Sequence, residues 1–248
     1  MVIDVVSDVI CPWCYIGKRK LDKALRELAG EFHVTVRWRA YQLDASTPEA
    51  GLDRQQSLAR KFGSADKARK IYKNISEAGE ADGINFRFEK IQRTPNTLNA
   101  HRVIYWAMNK GLLKESLAGV EELTKSADDD ERQHALVEEL FQLYFEQGQD
   151  LGDPTVLIGA CQRVGLDSSR ISGLLEGSEE RDLVGHEHHL ARGMGISGVP
   201  CLIINNQYML MGAQDPVRLA RALRKIYAEE INAMENTGVL DYGEYGSL

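Results

Sequence analysis

Four cysteines in 248 residues are too few for a disulfide framework, and that scarcity fits a reducing compartment. No stretch approaches the ~20 consecutive apolar residues of a membrane-spanning helix. No basic stripe relieves the formal charge of -7, which argues against nucleic acid or an anionic membrane surface as partner. A glycine-rich phosphate loop is missing as well. The chain opens directly on a strand, without the basic segment and ~7–15-residue apolar stretch of a secretory signal, so the expected location is cytoplasmic. What remains, 43% apolar and 27% charged residues, is ordinary soluble-protein composition with enough apolar side chains for a real core.

Among the few cysteines, two stand together. Cys11-Pro12-Trp13-Cys14 follows the apolar run Val2-Ile3-Asp4-Val5-Val6, which reads as a buried strand, and opens an apolar-periodic stretch that reads as a helix. With Cys11 as N-cap, Pro12 falls at the first helical position, where a missing N–H costs nothing. The N–H groups of Trp13 and Cys14 then point back toward the Cys11 sulfur. Free donors and the positive end of a helix favour a thiolate, and cysteines so placed titrate at roughly 3.5–7.5 against about 8.5 for a free thiol. Cys14 follows one turn deeper, roughly 5–6 Å away at Cβ, close enough to form a disulfide with small adjustment. The competing reading is half of a zinc site. Zinc needs a second pair of ligands at matching spacing, and Cys161 and Cys201 are isolated, so redox chemistry without a metal is expected.

The rest of the chain organises around that motif. The first helix should run over 12–29, bury Leu21, Ala24, Leu25 and Leu28, and stop at Gly30. Val34, Val36, Trp38 and Ala40 alternate with polar residues as in a strand with one buried face. Strand, helix and strand in so short a span imply a right-handed parallel unit. From about 48 to 193 the patterns turn helical, with helices expected over 53–62, 65–80, 96–110, 114–126, 131–146, 154–164, 168–175 and 179–194, and a short strand at Asn85-Phe86-Arg87-Phe88. The acidic run Asp128-Asp129-Asp130-Glu131 reads as a helix start, where negative charge is favourable by about 0.3–1 kcal/mol. Strands return as a hairpin, 201–205 and 208–211, turning at Asn205-Asn206-Gln207. Asp215-Pro216 opens a closing helix with Leu219, Leu223, Ile226, Tyr227 and Ile231 on one stripe. Residues 236–248 lack helical period and form a tail.

Strand, Cys-x-x-Cys helix, strand, long helical stretch, proline-led hairpin and closing helix is the element order of thioredoxin-like proteins. Four motifs sharpen the likeness: Ser7-Asp8-x-x-Cys11-Pro12-Trp13-Cys14-Tyr15-x-Gly17, Asn96-Thr97-x-x-Ala100-His101-Arg102, Gly195-x-x-Gly198-Val199-Pro200 and Gly212-Ala213-Gln214. Together they resemble the FrnE-type, DsbA-like thiol-disulfide oxidoreductases over residues 1–233. The resemblance implies an α/β thioredoxin-like fold with a large all-helical insertion: a discontinuous domain over 1–44 and 194–235, the insertion over 45–193, and the tail over 236–248. It implies that Val199-Pro200 is a cis peptide lying against the dithiol, with the Val199 backbone pairing to an extended substrate. It also implies catalysis by Cys11 and Cys14, with Pro12, Trp13, Val199, Pro200, Asn96 and His101 near the substrate. Protein thiols and disulfides or unfolded polypeptides are the implied partners, with glutathione as a redox partner and no resident cofactor.

Several residues carry two readings. Cys201 follows the proline where relatives more often have no thiol. Strand alternation turns it away from Pro200, so it reads as a small buried hydrophobe, with a resolving role in the exchange as the alternative; Cys161, at helical spacing between Leu157 and Val164, reads as buried in the same way. Asn96 fits an N-cap. His101 shares a predicted face with Leu98, Tyr105 and Met108 and reads as a core histidine, with proton shuttling or substrate contact as the alternative. Asp8 relays a proton or holds the loop. His186, His188 and His189 with Glu187 read as a solvated face without a third metal ligand. Two other functions compete with exchange on proteins. One is a glutathione-dependent isomerase or transferase, like the 2-hydroxychromene-2-carboxylate isomerase and kappa-class relatives of the fold, which commonly carry Ser where Cys11 stands. The other is a non-catalytic holdase chaperone using the insertion. Tyr242 and Tyr245 suggest a tail that pairs two copies of the chain.

Overall fold

A computed structural model describes residues 1–113 and 129–236. The helix expected over 114–126, and the tail with Tyr242 and Tyr245 beyond Asn236, lie outside the described residues. Four strands form the main sheet: β1 (Val2–Ser7), β2 (Thr35–Ala40), β5 (Cys201–Ile204) and β6 (Tyr208–Met211), in the order β2-β1-β5-β6. β1 runs parallel to β2, with Val5 opposite Trp38, and antiparallel to β5, with Val5 opposite Leu202. The hairpin β5–β6 turns on Asn205 and Asn206, both at positive φ, a backbone that asparagine tolerates. This is the thioredoxin-like sheet that the element order implies.

β1 is central and buried on both faces, which is why its sequence is a nearly continuous apolar run. Ile3 and Val5, with Leu202 and Ile204, join the large core beneath α1 (Pro12–Glu27) and α9 (Pro216–Asn236). Val6, Cys201 and Ile203 point to the opposite face, with Tyr41, Ala191 and Ile196. Asp4, the one charge in β1, is matched by Arg37 directly across the ladder at 2.8 Å and by Arg39 at 2.7 Å. The first helix ends at Glu27, two residues short of expectation, and Gly30 turns the chain at φ 86°. Leu219, Ala220, Leu223 and Ile226 of α9 are buried, and Tyr227 stacks on Phe32 at 4.2 Å.

Between β2 and β5 the described chain forms α2 (Arg54–Phe62), α3 (Ala65–Glu80), α4 (Leu98–Trp106), α5 (Asp129–Phe145), α6 (Pro154–Arg163), α7 (Ser168–Glu176) and α8 (Arg181–Gly193). Asp129, Asp130 and Glu131 occupy the first turn of α5. The strand expected at 85–88 is absent. Phe86 and Phe88 instead stack on each other at 4.8 Å and pack edge-on to Phe145, and the Arg87 N–H donates to the Phe145 carbonyl. Aromatic burial at the end of α5 prevails over ladder formation, since among the described residues no strand lies alongside. A short ladder forms elsewhere, between β3 (Leu52–Asp53) and β4 (Arg93–Thr94).

The helical segment attaches to the sheet at an edge. β2 is an outer strand, and its outward N–H groups need acceptors. Gln133 Oε1 of α5 accepts from Trp38 N–H at 2.7 Å, and Glu187 Oε2 of α8 accepts from Ala40 N–H at 3.0 Å. His188 Nδ1, also on α8, accepts from Gln42 N–H at 3.1 Å. A buried N–H left without such a partner costs about 1–3 kcal/mol. The histidine cluster on α8 is therefore not a uniformly solvated face. His186 and His189 are exposed, but His188 and Glu187 turn inward because the strand edge lies beneath them. No group of three or more metal-ligating side chains occurs among the described residues, and no described helix is long and apolar enough to cross a membrane.

Candidate active site

The sheet and α1 bring Cys11, Cys14, Val199 and Pro200 to one place. Cys11 is the N-cap residue of α1, with extended backbone, and Pro12 opens the helix. Cys11 is 5% exposed and Cys14 1%, while the Trp13 indole between them is 43% exposed. Both thiols are free. The Val199–Pro200 peptide is cis, and the Cys11 sulfur lies 3.6 Å from the Val199 carbonyl oxygen. Gly17 makes room for the proline: a Cβ there would come within 2.9 Å of Pro200 Cγ and 3.7 Å of Ala213 Cβ. The Pro200 carbonyl accepts from Gly212 N–H at 2.7 Å. Three of the four sequence motifs thus meet at the dithiol.

The two sulfurs titrate in opposite directions. A hydrogen bond from the Cys14 thiol lowers the pKa of Cys11; burial raises it, the Cys14 N–H lowers it, the Asp8 carboxylate raises it and the Trp13 N–H lowers it, with a net fall from the ordinary thiol value. Burial pushes Cys14 well up, reinforced by its bond to Cys11 and the charge there, against smaller opposing pulls from the Ser7 side chain and the Asp8 backbone. One S–H···S contact therefore favours a thiolate at Cys11 and a thiol at Cys14. The other cysteines lie elsewhere. Burial raises Cys161 to about 12 and Cys201 to about 11, and Cys201 packs on the sheet face opposite the core that holds Cys11 and Cys14.

The remaining motif, Asn96 to Arg102, reaches the site indirectly. Asp8 closes the turn between β1 and α1, its carbonyl accepting from Cys11 N–H at 3.0 Å. Its carboxylate accepts from Leu43 N–H at 2.7 Å and from Ile10 N–H at 3.5 Å. His101 Nε2 lies 3.1 Å from the Tyr41 carbonyl and 3.5 Å from Asp8 Oδ1. Tyr105, expected on the same face as His101, is exposed, because α4 is enclosed on the sides carrying Ala100 to Ile104 and Trp106. Asn96 is not in the helix, which begins at Leu98. It sits one residue before the N-cap Thr97, accepts from Leu98 N–H and Gln42 Nε2, and donates to the Thr47 carbonyl. Its bonds hold the 42–47 loop rather than a sulfur. Ile10 and Leu43 also wall a cleft of about 330 Å³ that continues over Thr47, Leu52, Ser57, Arg60, Lys61 and Thr94.

Sequence reasoning gave no role to Arg102, a fully buried guanidinium. It donates to the carbonyls of Leu174, Gly177 and Glu179 and to Asn99 Oδ1, joining α4 to the end of α7 and the chain leading to α8. An arginine inside an apolar helix was the available signal, since such a charge requires several acceptors.

The model of the DSBA-like thioredoxin domain matches residues 2–122 and 113–224. The chain belongs to the DsbA-like thioredoxin family. Among curated proteins, YwbO of Bacillus subtilis, an uncharacterized protein, is 25% identical over 205 residues, covering 82% of this chain and 86% of the relative. A probable DsbA oxidoreductase of Streptomyces coelicolor superposes with a TM-score of 0.77 at 24% identity, covering 92% of this chain and 91% of the other. A 2-hydroxychromene-2-carboxylate isomerase has a TM-score of 0.62 at 14% identity, with 94% and 99% covered. The cytosolic disulfide reductase DsbM of Pseudomonas aeruginosa, solved with glutathione, has a TM-score of 0.56 at 14% identity, with 92% and 100% covered. At these identities the structural likenesses establish the DsbA-like thioredoxin fold, shared by redox enzymes and an isomerase alike.

Proposed function

We propose that this chain is a thiol-disulfide oxidoreductase or isomerase acting on protein disulfides, with Cys11 as the attacking sulfur and Cys14 as the resolving one. The observation that carries the reading is the contact that draws Cys11 toward thiolate and holds Cys14 as thiol. The Cys11 thiolate attacks one sulfur of a substrate disulfide, the S–S bond breaks, and the departing thiolate takes a proton from solvent. Cys14 then loses its proton and attacks the Cys11 sulfur. The substrate leaves reduced by two electrons, and the protein holds a Cys11–Cys14 disulfide. Run backwards, the same steps oxidise a substrate dithiol, and release before resolution allows isomerisation. The exposed Trp13, the Val199 carbonyl and Pro200 form the surface a substrate meets. The cleft carries Arg60 and Lys61, suited to the carboxylates of glutathione, and Asp44, suited to its amine, which fits glutathione as a redox partner that resets the couple.

Two variants test the assignment. Cys11→Ser abolishes turnover in disulfide reduction and refolding assays, whereas Cys14→Ser accumulates a mixed disulfide through Cys11, detected by mass spectrometry. Unchanged activity in Cys11→Ser refutes the reading. The isomerase-type fold likeness supports a second function, glutathione-dependent conversion of a small electrophile. The presence of both thiols favours exchange, and conversion of an electrophile with glutathione by Cys14→Ser would favour the rival.

A further inference from the structure

Asp8 presents a puzzle that the exchange chemistry does not resolve. Its side chain is 0% exposed, and its charge opposes the thiolate that the helix end favours at Cys11. A buried carboxylate beside a nucleophilic sulfur is counterproductive unless something offsets it. Two backbone N–H groups donate to its oxygens, that of Leu43 at 2.7 Å and that of Ile10 at a long 3.5 Å, which leaves room for a further donor on Oδ1. The ring of His101, 4% exposed, meets the same carboxylate from α4. A carbonyl only accepts, so the contact with Tyr41 O puts a hydrogen on His101 Nε2, the atom that also faces Asp8 Oδ1.

We propose that His101 is a positioning residue of the dithiol, acting through Asp8: its Nε2–H offsets the carboxylate's field at Cys11 and ties α4 to the turn that presents the sulfur. This rests on the reading of Cys11 as the attacking thiol. It gives Asn96-Thr97-x-x-Ala100-His101-Arg102 one purpose in the exchange reaction, although none of its side chains reaches a sulfur. The other titratable groups around Asp8 do not substitute for His101. From α1 come Cys11 and Cys14 themselves, and from α5 the buried hydroxyl of Tyr144, which burial keeps protonated. From α8 comes His188, with the Arg192 guanidinium beyond it bonded to the Tyr41 hydroxyl. Burial, then His189 and Arg192, lower the His188 value, and its Nδ1 accepts from Gln42 N–H, so that ring is held neutral.

The test is a double-mutant cycle of His101→Gln and Asp8→Asn in the full chain, read by ultraviolet thiolate absorbance of Cys11 against pH and by equilibrium with glutathione. His101→Gln lowers the Cys11 thiolate fraction at fixed pH about threefold, and Asp8→Asn raises it by a similar factor. The glutathione equilibrium follows, with Asp8→Asn the more oxidising protein, because a more stable thiolate favours the reduced form. In the Asp8→Asn background His101→Gln has no further effect, an outcome a merely structural role would not give. Should His101→Gln fail to fold, Asp8→Asn alone decides: an unchanged thiolate curve overturns the proposal. So does an equal effect of His101→Gln in both backgrounds. If wild-type Cys11 itself is no more acidic than a free thiol, the functional reading falls instead, so the two failures are distinguishable.

Discussion

Gly17 and Pro200 meet at the back of the dithiol, and a methyl group at position 17 would lie 2.9 Å from Pro200 Cγ. That separation is closer than packed carbons tolerate, so Gly17→Ala must displace α1 or the proline. Overpacking of this kind costs about 1–3 kcal/mol, against a gain of about 1 kcal/mol from replacing a helical glycine. The expected result is a modest fall in the urea midpoint with a larger fall, about tenfold or more, in exchange rate, since small misplacements of reacting groups are costly. Parallel denaturation and insulin-reduction assays check this; a variant with wild-type rate would show that the contact does not position the site.

Alkylation distinguishes the four thiols. In the native reduced protein at neutral pH, iodoacetamide labels Cys11 first, because it alone has a lowered value, while burial raises Cys14, Cys161 and Cys201. Peptide mapping over a time course reads the order. Modification of Cys201 as fast as Cys11 would return it to consideration as a third redox thiol.

Arg102→Met removes a guanidinium that serves three backbone carbonyls and Asn99 while keeping much of its volume. Orphaned buried acceptors cost about 1–3 kcal/mol each before relaxation. A loss of about 3 kcal/mol is expected, seen as a lowered Tm. Arg102→Lys recovers only part of it, since one ammonium cannot reproduce the planar fork. Equal stability of wild type and Arg102→Met would contradict this role.

Acid stability has a local source at Asp22. Burial opposes its ionisation, but the His134 hydrogen bond, the Lys18 charge and the His134 charge prevail and bring it down to about 2. A carboxyl depressed in the folded state stabilises above its unfolded value, near 4, and loses that contribution as pH falls toward the folded one. Asp22→Asn should therefore cost about 2 kcal/mol at neutral pH. The gap from wild type should narrow between about pH 4 and 2. A gap constant with pH in urea titrations would assign the effect to packing instead.

Much of the fold was legible because its signals are local. The 65–80 helix matches its prediction at both ends, Ser64 capping it through Lys67 N–H. The hairpin at 201–211 likewise follows from two asparagines that accept positive φ. Failures came where distant partners overrode local pattern. The phenylalanines at 86 and 88 alternate like a strand, yet Tyr15 and Phe145 supplied an aromatic pocket and no described strand supplied a ladder. His188 sits among polar neighbours, yet the Gln42 N–H just past β2 needed an acceptor.

By itself the sequence determined the Cys-x-x-Cys motif and its placement: an N-cap cysteine, a first-turn proline and a second thiol one turn on are set by helix geometry within a few residues. Only the tertiary structure decided what surrounds those sulfurs. The Val199 carbonyl, Gly17 against Pro200, and His101 beside Asp8 are contacts across 93 to 188 positions. Sheet order and helix packing create such contacts, and no spacing within one element encodes them.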